Sequence, residues 1–159
     1  MKYRVLGKTG LKVSEVGYGT WQLANDPNCW VGADLDESLR SLAKFVELGG
    51  RLMAGVDPTG SGRTIPGYAD RHVLELLVEA GFTFPQAIKI CTLNAAEYLG
   101  RENEIGSIAT GKRADLVLMN GDPEKEIKDV RNTEIVFKNG VGFDSKKLFE
   151  SVNGKVGLY

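Results

Sequence analysis

Apolar residues recur at helical spacing in three stretches of the sequence. The first stripe comprises Leu35, Leu39, Leu42 and Val46. Asp34 precedes it as a capping residue and Gly49 ends it, so a helix is predicted between them. A second helix is predicted over residues 69–80. A third is predicted over residues 84–99, with Thr83 as its cap, and a short tail helix over residues 146–152.

Runs of apolar residues between turn formers predict the strands at the start of the chain. Residues 2–6 and 11–16 are two short β-type runs, and the glycine-rich turn at residues 7–10 joins them. This arrangement predicts a hairpin. We expect the hairpin to supply strands that pair with residues 114–119 or 134–138.

The end of the chain is also β-rich. Residues 114–119 and 134–140 have the composition of strands, and Asn139-Gly140 is a preferred two-residue hairpin turn that leads into residues 141–143. Together with the helices, these runs give the element order ββ-α-β-α-α-βββ. This order is typical of an α/β protein with a separate β-rich end.

One further apolar run, at residues 52–56, ends abruptly in Asp57. A loop rich in proline, glycine, serine and threonine follows it. This is the pattern of a buried strand that presents a carboxylate at its carboxyl end, where α/β folds keep their chemistry. Asp57 is therefore the first candidate site residue. Its alternative role is a helix cap or loop anchor.

Length and composition limit the fold and the partners. The 159 residues are too few for a complete eight-fold barrel, which takes about 250. The formal net charge of −1 gives no general attraction to nucleic acid or to an anionic membrane, and no run is long enough to span a bilayer. We expect a cytoplasmic protein in which Cys29 and Cys91, far apart and without a CxxC motif, are reduced thiols.

The first part of the chain resembles the start of aldo-keto reductases. The resemblance rests on MKYRVLGKTGLKVSEVGYGTWQL followed by WVGADLDESLRSLAKFVELG, which covers about residues 1–48. It implies a hairpin, a first barrel strand and a first helix. The Asp-Thr-Ala box that should follow is missing, and so are the residues that bind the cofactor's phosphates. The resemblance therefore gives no support for NADPH binding or reductase activity.

From about residue 42 to residue 159, the chain resembles the C-terminal end of metal-dependent amidohydrolases of the imidazolonepropionase and prolidase-like type. The relevant stretches are GGRLMAGVDPTGSG, LELLVEAGFTFPQAIKICTLNAAEYLG and IGSIATGKRADLVLMNGDPEKEI. The resemblance implies that residues 52–57 are the eighth barrel strand and residues 69–80 the eighth helix. Residues 114–143 would then form part of the attached β-sandwich.

These two resemblances lead us to expect a chimera with an aldo-keto-reductase-like part (residues 1–48) and an amidohydrolase-like part (residues 49–159) in one compact unit. The join would lie within the helix at residues 35–48, and such a join suggests an engineered or recombined sequence. The expected fold class is α/β, with partial (β/α)-barrel elements and a mixed sheet packed on about three helices. Unpaired sheet edges favour self-association as a dimer or higher assembly.

The amidohydrolase resemblance implies a site for zinc or another divalent metal, built from a His-x-His pair, further histidines and one aspartate of the eighth strand. Asp57 matches that aspartate. The chain contains one histidine, His72, and no His-x-His. A catalytic zinc needs about three protein ligands, so Asp57 and His72 from one copy are too few. His72 at a solvated helix edge is the alternative to His72 as a ligand.

The segment at residues 106–113 matches the pattern GxxxxGK but not a phosphate-binding loop. Arg113 stands where Mg²⁺ coordination needs serine or threonine, and the segment precedes a strand instead of following one. We therefore predict a turn that leads into the strand at residues 114–119. This segment therefore predicts no nucleotide cofactor, and the sequence names no catalytic residue.

Our first hypothesis is an amidohydrolase-derived protein without the full metal site and without efficient catalysis. The second is weak metal-dependent hydrolysis of an amide, cyclic amide or ester, in which Asp57 and His72 of different copies converge. The third is a non-enzymatic binding module, for which exposed sheet edges are the sequence support.

Overall fold

The computed structural model describes residues 2–8, 10, 12–14, 34–56, 65 and 67–155. These residues form five α-helices, one 3-10 helix and five strands. In chain order they are β1 (Tyr3–Val5), β2 (Lys12–Ser14), α1 (Leu35–Glu47), α2 (Tyr68–Glu79), α3 (Phe84–Cys91), α4 (Leu93–Tyr98), β3 (Leu116–Met119), the 3-10 helix (Ile127–Arg131), β4 (Thr133–Lys138), β5 (Val141–Asp144) and α5 (Ser145–Val152). None of the described helices is long and apolar enough to cross a membrane.

The predicted N-terminal hairpin is confirmed, but its predicted partners are wrong. Strands β1 and β2 pair antiparallel, with Arg4 opposite Val13, and form a two-stranded sheet of their own. A hairpin closes through a short turn at little cost in loop entropy, whereas pairing with residues 114–119 would close a far longer loop. Local pairing therefore decides the position of these strands.

Helix α1 begins where its cap predicts. The carboxylate of Asp34 accepts a hydrogen bond from the Glu37 backbone N–H at 2.8 Å. The Ser38 hydroxyl donates to the Asp34 carbonyl oxygen at 2.8 Å and is buried. These two bonds satisfy polar groups at the start of the helix that would otherwise lack a partner.

The strand predicted at residues 52–56 is wrong. Residues 51–56 lie outside every strand of the described chain. A side chain holds the segment instead, because the Asn94 amide donates to the Leu52 carbonyl oxygen at 2.8 Å. Arg51 also pairs with Glu97 of α4 at 2.9 Å. A barrel-type strand needs neighbours on both edges, and none of the described segments provides them.

The prediction of one continuous helix at residues 84–99 is also wrong, because the helix is interrupted at Thr92. Helix α3 ends there and α4 begins, and Thr92 has φ −126° and ψ −79°. Its hydroxyl donates to the Ile88 carbonyl oxygen at 2.7 Å. A threonine that bonds the preceding turn competes with the backbone and weakens helix continuation. The small core lies on these two helices, at Ala87, Ile90 and Ala96.

The β-rich end is confirmed as strands in the order β3-β4-β5. Val136 lies opposite Val117 on one side and opposite Phe143 on the other. Asn139 and Gly140 have φ of 50° and 80°, as a type I′ hairpin turn requires. Helix α5 follows and packs on β4 and β5, which confirms the tail helix.

The α/β class is confirmed, but the sheet type is not as expected. All strand pairs among the described residues are antiparallel, so the mixed sheet is wrong for this part of the chain. The 3-10 helix was not predicted. It packs against α2 and buries Val130, which is 1% exposed. This contact joins the helices to the three-stranded sheet.

We expect Thr83→Ala to lower the free energy of unfolding by about 1 kcal/mol. The Thr83 hydroxyl accepts the Gln86 N–H and the Gln86 side chain bonds back to the Thr83 N–H, and both bonds form the start of α3. Denaturant unfolding measures the change. Thr83→Ser is the control, because it keeps the hydroxyl and should keep most of the stability. Equal losses in both variants would contradict the capping role.

Candidate functional site

Asp57 lies outside the described residues, so its role as ligand or cap stays a prediction. The described chain stops at Val56 before it, and resumes at Ile65 and again at Gly67 after it. At Gly67 the backbone has φ 78°, and its N–H donates to the Asp70 carboxylate at 3.1 Å. This bond fixes the start of α2, the helix on which the second candidate residue stands.

His72 lies in the second turn of α2. Its Nδ1 is 3.0 Å from a carboxylate oxygen of Glu75, one turn further on. Its ring stacks on Tyr68, with the ring centroids 5.5 Å apart and the planes at 30°. The side chain is 40% exposed. The imidazole is therefore held at one nitrogen and on one face, at the edge of the helix.

Glu75 is the centre of this cluster. Both of its carboxylate oxygens accept hydrogen bonds from the Arg131 guanidinium, at 2.6 Å each. Arg131 is the last residue of the 3-10 helix, and its carbonyl oxygen accepts a hydrogen bond from Arg71 at 3.0 Å. A bidentate arginine–carboxylate pair is among the stronger and more directional polar contacts in proteins. The cluster therefore fastens α2 to the segment that leads into β4.

The electrostatics of the cluster follow from this geometry. The hydrogen bonds from Arg131 lower the pKa of Glu75 from 4.5 to about 2, although burial opposes the shift and His72 adds to it. The same carboxylate raises the pKa of Arg131. Glu75 is therefore ionised over the whole neutral range, and its charge is balanced within the cluster.

These donors do not fit a hydrolytic metal ion. Within the part of the chain that the structure describes, no group of three or more histidine, cysteine, aspartate or glutamate side chains is arranged to hold a metal. His72 and Glu75 come closest, but Arg131 occupies both oxygens of Glu75. A cation at Glu75 would therefore compete with a guanidinium that is held by two short hydrogen bonds.

Two other motifs from the sequence have structural roles. The segment at residues 106–113 forms turns before β3, as predicted, and the Lys112 amine bonds the Ser107 hydroxyl at 2.6 Å and the Glu102 carbonyl oxygen. The Cys91 thiol is free, and partial burial raises its pKa. A raised pKa leaves little reactive thiolate at neutral pH. Cys29 lies outside the described residues.

Sequence reasoning missed Glu75 and Arg131, which are 56 residues apart. It also missed a cavity of about 380 Å³ beside α3 and α4, which is lined by Arg51, Asn94 and Glu97 among others. Contacts between polar side chains as far apart in sequence as Glu75 and Arg131 leave no periodicity or motif from which they could be predicted. The helical spacing of His72 and Glu75 was the one local sign that these two residues could meet.

We expect Glu75→Gln to lower the free energy of unfolding at pH 7 by about 1–2 kcal/mol, because the charge-assisted pair with Arg131 is lost. The folded-state pKa of about 2 lies below the ordinary 4.5. The stability from Glu75 is therefore present above about pH 4.5 and is lost as the pH falls towards 2. Denaturant unfolding between pH 7 and pH 2 measures both effects.

Glu79→Gln is the matched control for this prediction. It removes the same charge from the same helix, at an exposed position. We expect it to leave both the stability at pH 7 and its acid dependence close to those of the parent chain. If Glu75→Gln and Glu79→Gln behaved alike, the loss would reflect net charge and not the bidentate pair.

The comparisons with known proteins agree on one family. Residues 22–149 match the model of the amidohydrolase family. The chain is 37% identical over 54% of its length to a 5-methylthioadenosine/S-adenosylhomocysteine deaminase of Thermodesulfovibrio yellowstonii, of which it covers 21%. It is 38% identical over 40% of its length to an imidazolonepropionase of a Geobacillus strain, of which it covers 16%.

A solved structure of a prolidase with N-methylphosphonate-L-proline superposes with a TM-score of 0.58. The identity is 24%, and the match covers 69% of this chain and 27% of that chain. The matches cover between 10% and 22% of the length of these and further curated relatives, and about a quarter of the solved one. Since the family model matches most of the sequence, the chain belongs to the amidohydrolase family.

Proposed function

We propose that this chain is an amidohydrolase-derived protein that does not complete the family's hydrolytic metal site from its own residues, and that a single copy is not an efficient catalyst. The observation behind this proposal is the set of hydrogen bonds around His72, the only histidine in the sequence. His72 bonds Glu75, and Arg131 occupies both oxygens of Glu75. These contacts support a structural role for His72 and Glu75 in place of a role as metal ligands.

The number of donors supports the same conclusion. A zinc ion that activates water needs about three protein ligands and one open position. By resemblance, Asp57 supplies one carboxylate, and the sequence holds one histidine. These two donors from one copy fall short of that number. The amidohydrolase family nevertheless defines the chemistry to test, which is hydrolysis of carbon–nitrogen bonds.

A second candidate is weak metal-dependent hydrolysis at a site shared between copies. One observation favours it: the Nε2 atom of His72 makes no hydrogen bond with the described residues, and the side chain is 40% exposed. That nitrogen is accessible to another copy. In this proposal Asp57 and His72 of both copies would converge and hold zinc or another divalent metal, and the substrate would be an amide, a cyclic amide or an ester.

We also propose that residues 1–48 come from an aldo-keto-reductase-like sequence joined within α1. The support is the sequence resemblance over these residues. The amidohydrolase match begins at residue 22 and overlaps this segment. A gene found intact in a genome under its own promoter would contradict the chimera. NADPH fluorescence should not respond to the protein, since the phosphate-binding residues of a reductase are missing from the sequence.

We expect the protein, purified without chelators, to contain far less than one zinc per chain, and Asp57→Asn to leave that content unchanged. Asp36→Asn is the control, because it removes an exposed carboxylate from the first turn of α1. Elemental analysis measures the metal. About one zinc per chain that Asp57→Asn removes and Asp36→Asn keeps would contradict the proposal.

Activity distinguishes the second candidate from the first. If the site is shared, specific activity on a cyclic amide with added zinc should rise with protein concentration. Asp57→Asn and His72→Gln should then each abolish that activity, because each removes donors that both copies contribute. No zinc-dependent turnover at any concentration would exclude the shared site.

A further inference from the structure

Strand β3 is an open edge of the three-stranded sheet. The strand order is β3-β4-β5, and no described residue pairs with the outer side of β3. Val117 and Leu118, which point to opposite faces of the sheet, are 54% and 47% exposed. The backbone groups along this edge and the side chains above and below it are therefore available to another strand.

The other edge strand, β5, likewise has no described partner on its outer side, but it differs from β3 in sequence. Strand β5 contains Gly142 and ends at Asp144, and α5 follows directly and packs on it. The sequence of β3 is LVLM, without proline or charge. The register shift near Leu118 leaves the extra residue, Glu134, on β4, so β3 itself is uninterrupted. Natural edge strands usually have protective features such as charge, proline or a bulge, and β3, although only four residues long, has none of these three.

We propose that β3 pairs antiparallel with β3 of a second copy of this chain, around a two-fold axis at Val117. The two sheets would join into one sheet of six strands, three from each copy. This inference goes beyond the proposed function and does not depend on a metal site. It identifies the strand, the direction and the register through which the chain self-associates.

The register follows from symmetry and side-chain chemistry. A two-fold axis perpendicular to the sheet, centred on Val117, places Val117 opposite the partner's Val117 and Leu116 opposite the partner's Leu118. All these pairs are apolar, as favoured cross-strand pairs are. An axis one residue further along would place Leu116 opposite the partner's Asn120, which pairs an apolar side chain with a polar one.

The charges at the two ends of β3 are complementary in this arrangement. Arg113 precedes the strand and Asp122 follows it. Antiparallel pairing brings Arg113 within one residue of the partner's Asp122, whereas parallel pairing would bring like charges together. Arg113 is 38% and Asp122 49% exposed. Arg113 lies 4.0 Å from Asp115 of its own chain, and Asp122 pairs with the exposed Lys125 at 2.7 Å, so the partner's Arg113 would share Asp122 with that lysine. Asp115 already pairs with Lys138 at 2.8 Å.

Light scattering during size exclusion tests the proposal. We expect the parent chain at twice the monomer mass of 17.3 kDa and Val117→Lys at the monomer mass with an unchanged circular dichroism spectrum, because a lysine on an edge strand opposes pairing. Val141→Lys is the matched control on β5, where Val141 is 58% exposed, and it should stay dimeric. A monomeric parent chain, or a dimeric Val117→Lys variant, would overturn the proposal.

Cysteine cross-linking tests the register. In a background with Cys29→Ala and Cys91→Ala, a short methanethiosulfonate cross-linker should join Val117→Cys into a covalent dimer, because opposite Cβ atoms lie about 4.5–5.5 Å apart, which is beyond the usual span of a direct disulfide. Leu116→Cys is the control and should not cross-link, since its counterpart on the partner lies two residues away along the strand. Failure of Val117→Cys to cross-link, or equal cross-linking of both variants, would overturn this register.

Helix α5 offers the competing surface, because Phe149 is 72% exposed. If Phe149→Asp gave monomers and Val117→Lys stayed dimeric, the helix would be the interface and the proposal would be wrong. We expect the reverse. The zinc content of the monomeric variant keeps the two proposals separate, since loss of the dimer leaves the number of metal donors in one chain unchanged.

Discussion

The bidentate pair between Glu75 and Arg131 is the contact on which the arrangement of this molecule depends. It joins α2 to the 3-10 helix, and Arg71 adds a second bond to the Arg131 carbonyl oxygen. Val130, the residue before Arg131, is buried beside this pair. Among the described residues, an apolar contact at Val130 and this polar cluster therefore join α2 to the segment that leads into β4.

The same contact limits the chemistry of the chain. Both oxygens of Glu75 accept hydrogen bonds from Arg131, and one of them also contacts the only histidine, so a cation would compete with these partners for the carboxylate. In this member of the amidohydrolase family, Arg71 and Glu75 on α2 thus hold the helix against the 3-10 helix through hydrogen bonds. Family membership defines the fold from which the chain derives, whereas chemistry depends on the donors that are present.

The small core has a consequence for the surface. The buried apolar residues of the described chain are Ala87, Ile90, Ala96 and Val130, while large apolar side chains on β3 and α5 are exposed. Exposed apolar strands and helix faces favour association with further polypeptide. The open edge of β3 is the surface at which we propose that a second copy pairs.

The sequence alone determined the local structure. Asp34 and Thr83 fixed helix starts, and Asn139-Gly140 fixed the hairpin between β4 and β5, because each signal acts over three or four residues of backbone. The resemblance of the C-terminal part to amidohydrolases could also be recognised from the sequence, and the match to the family model confirms it. These properties need no knowledge of what the elements pack against.

Tertiary structure decided what depends on distant partners. Residues 52–56 have the composition of a buried strand, but no described neighbour completes their hydrogen bonds, so Asn94 holds them instead. The hairpin β1–β2 pairs with itself, and Thr92 divides a helix that periodicity predicts as continuous. Glu75 and Arg131 meet across 56 residues. Strand pairing and ion pairing are set by which segments are close in space, and the spacing of residues along the chain does not contain that information.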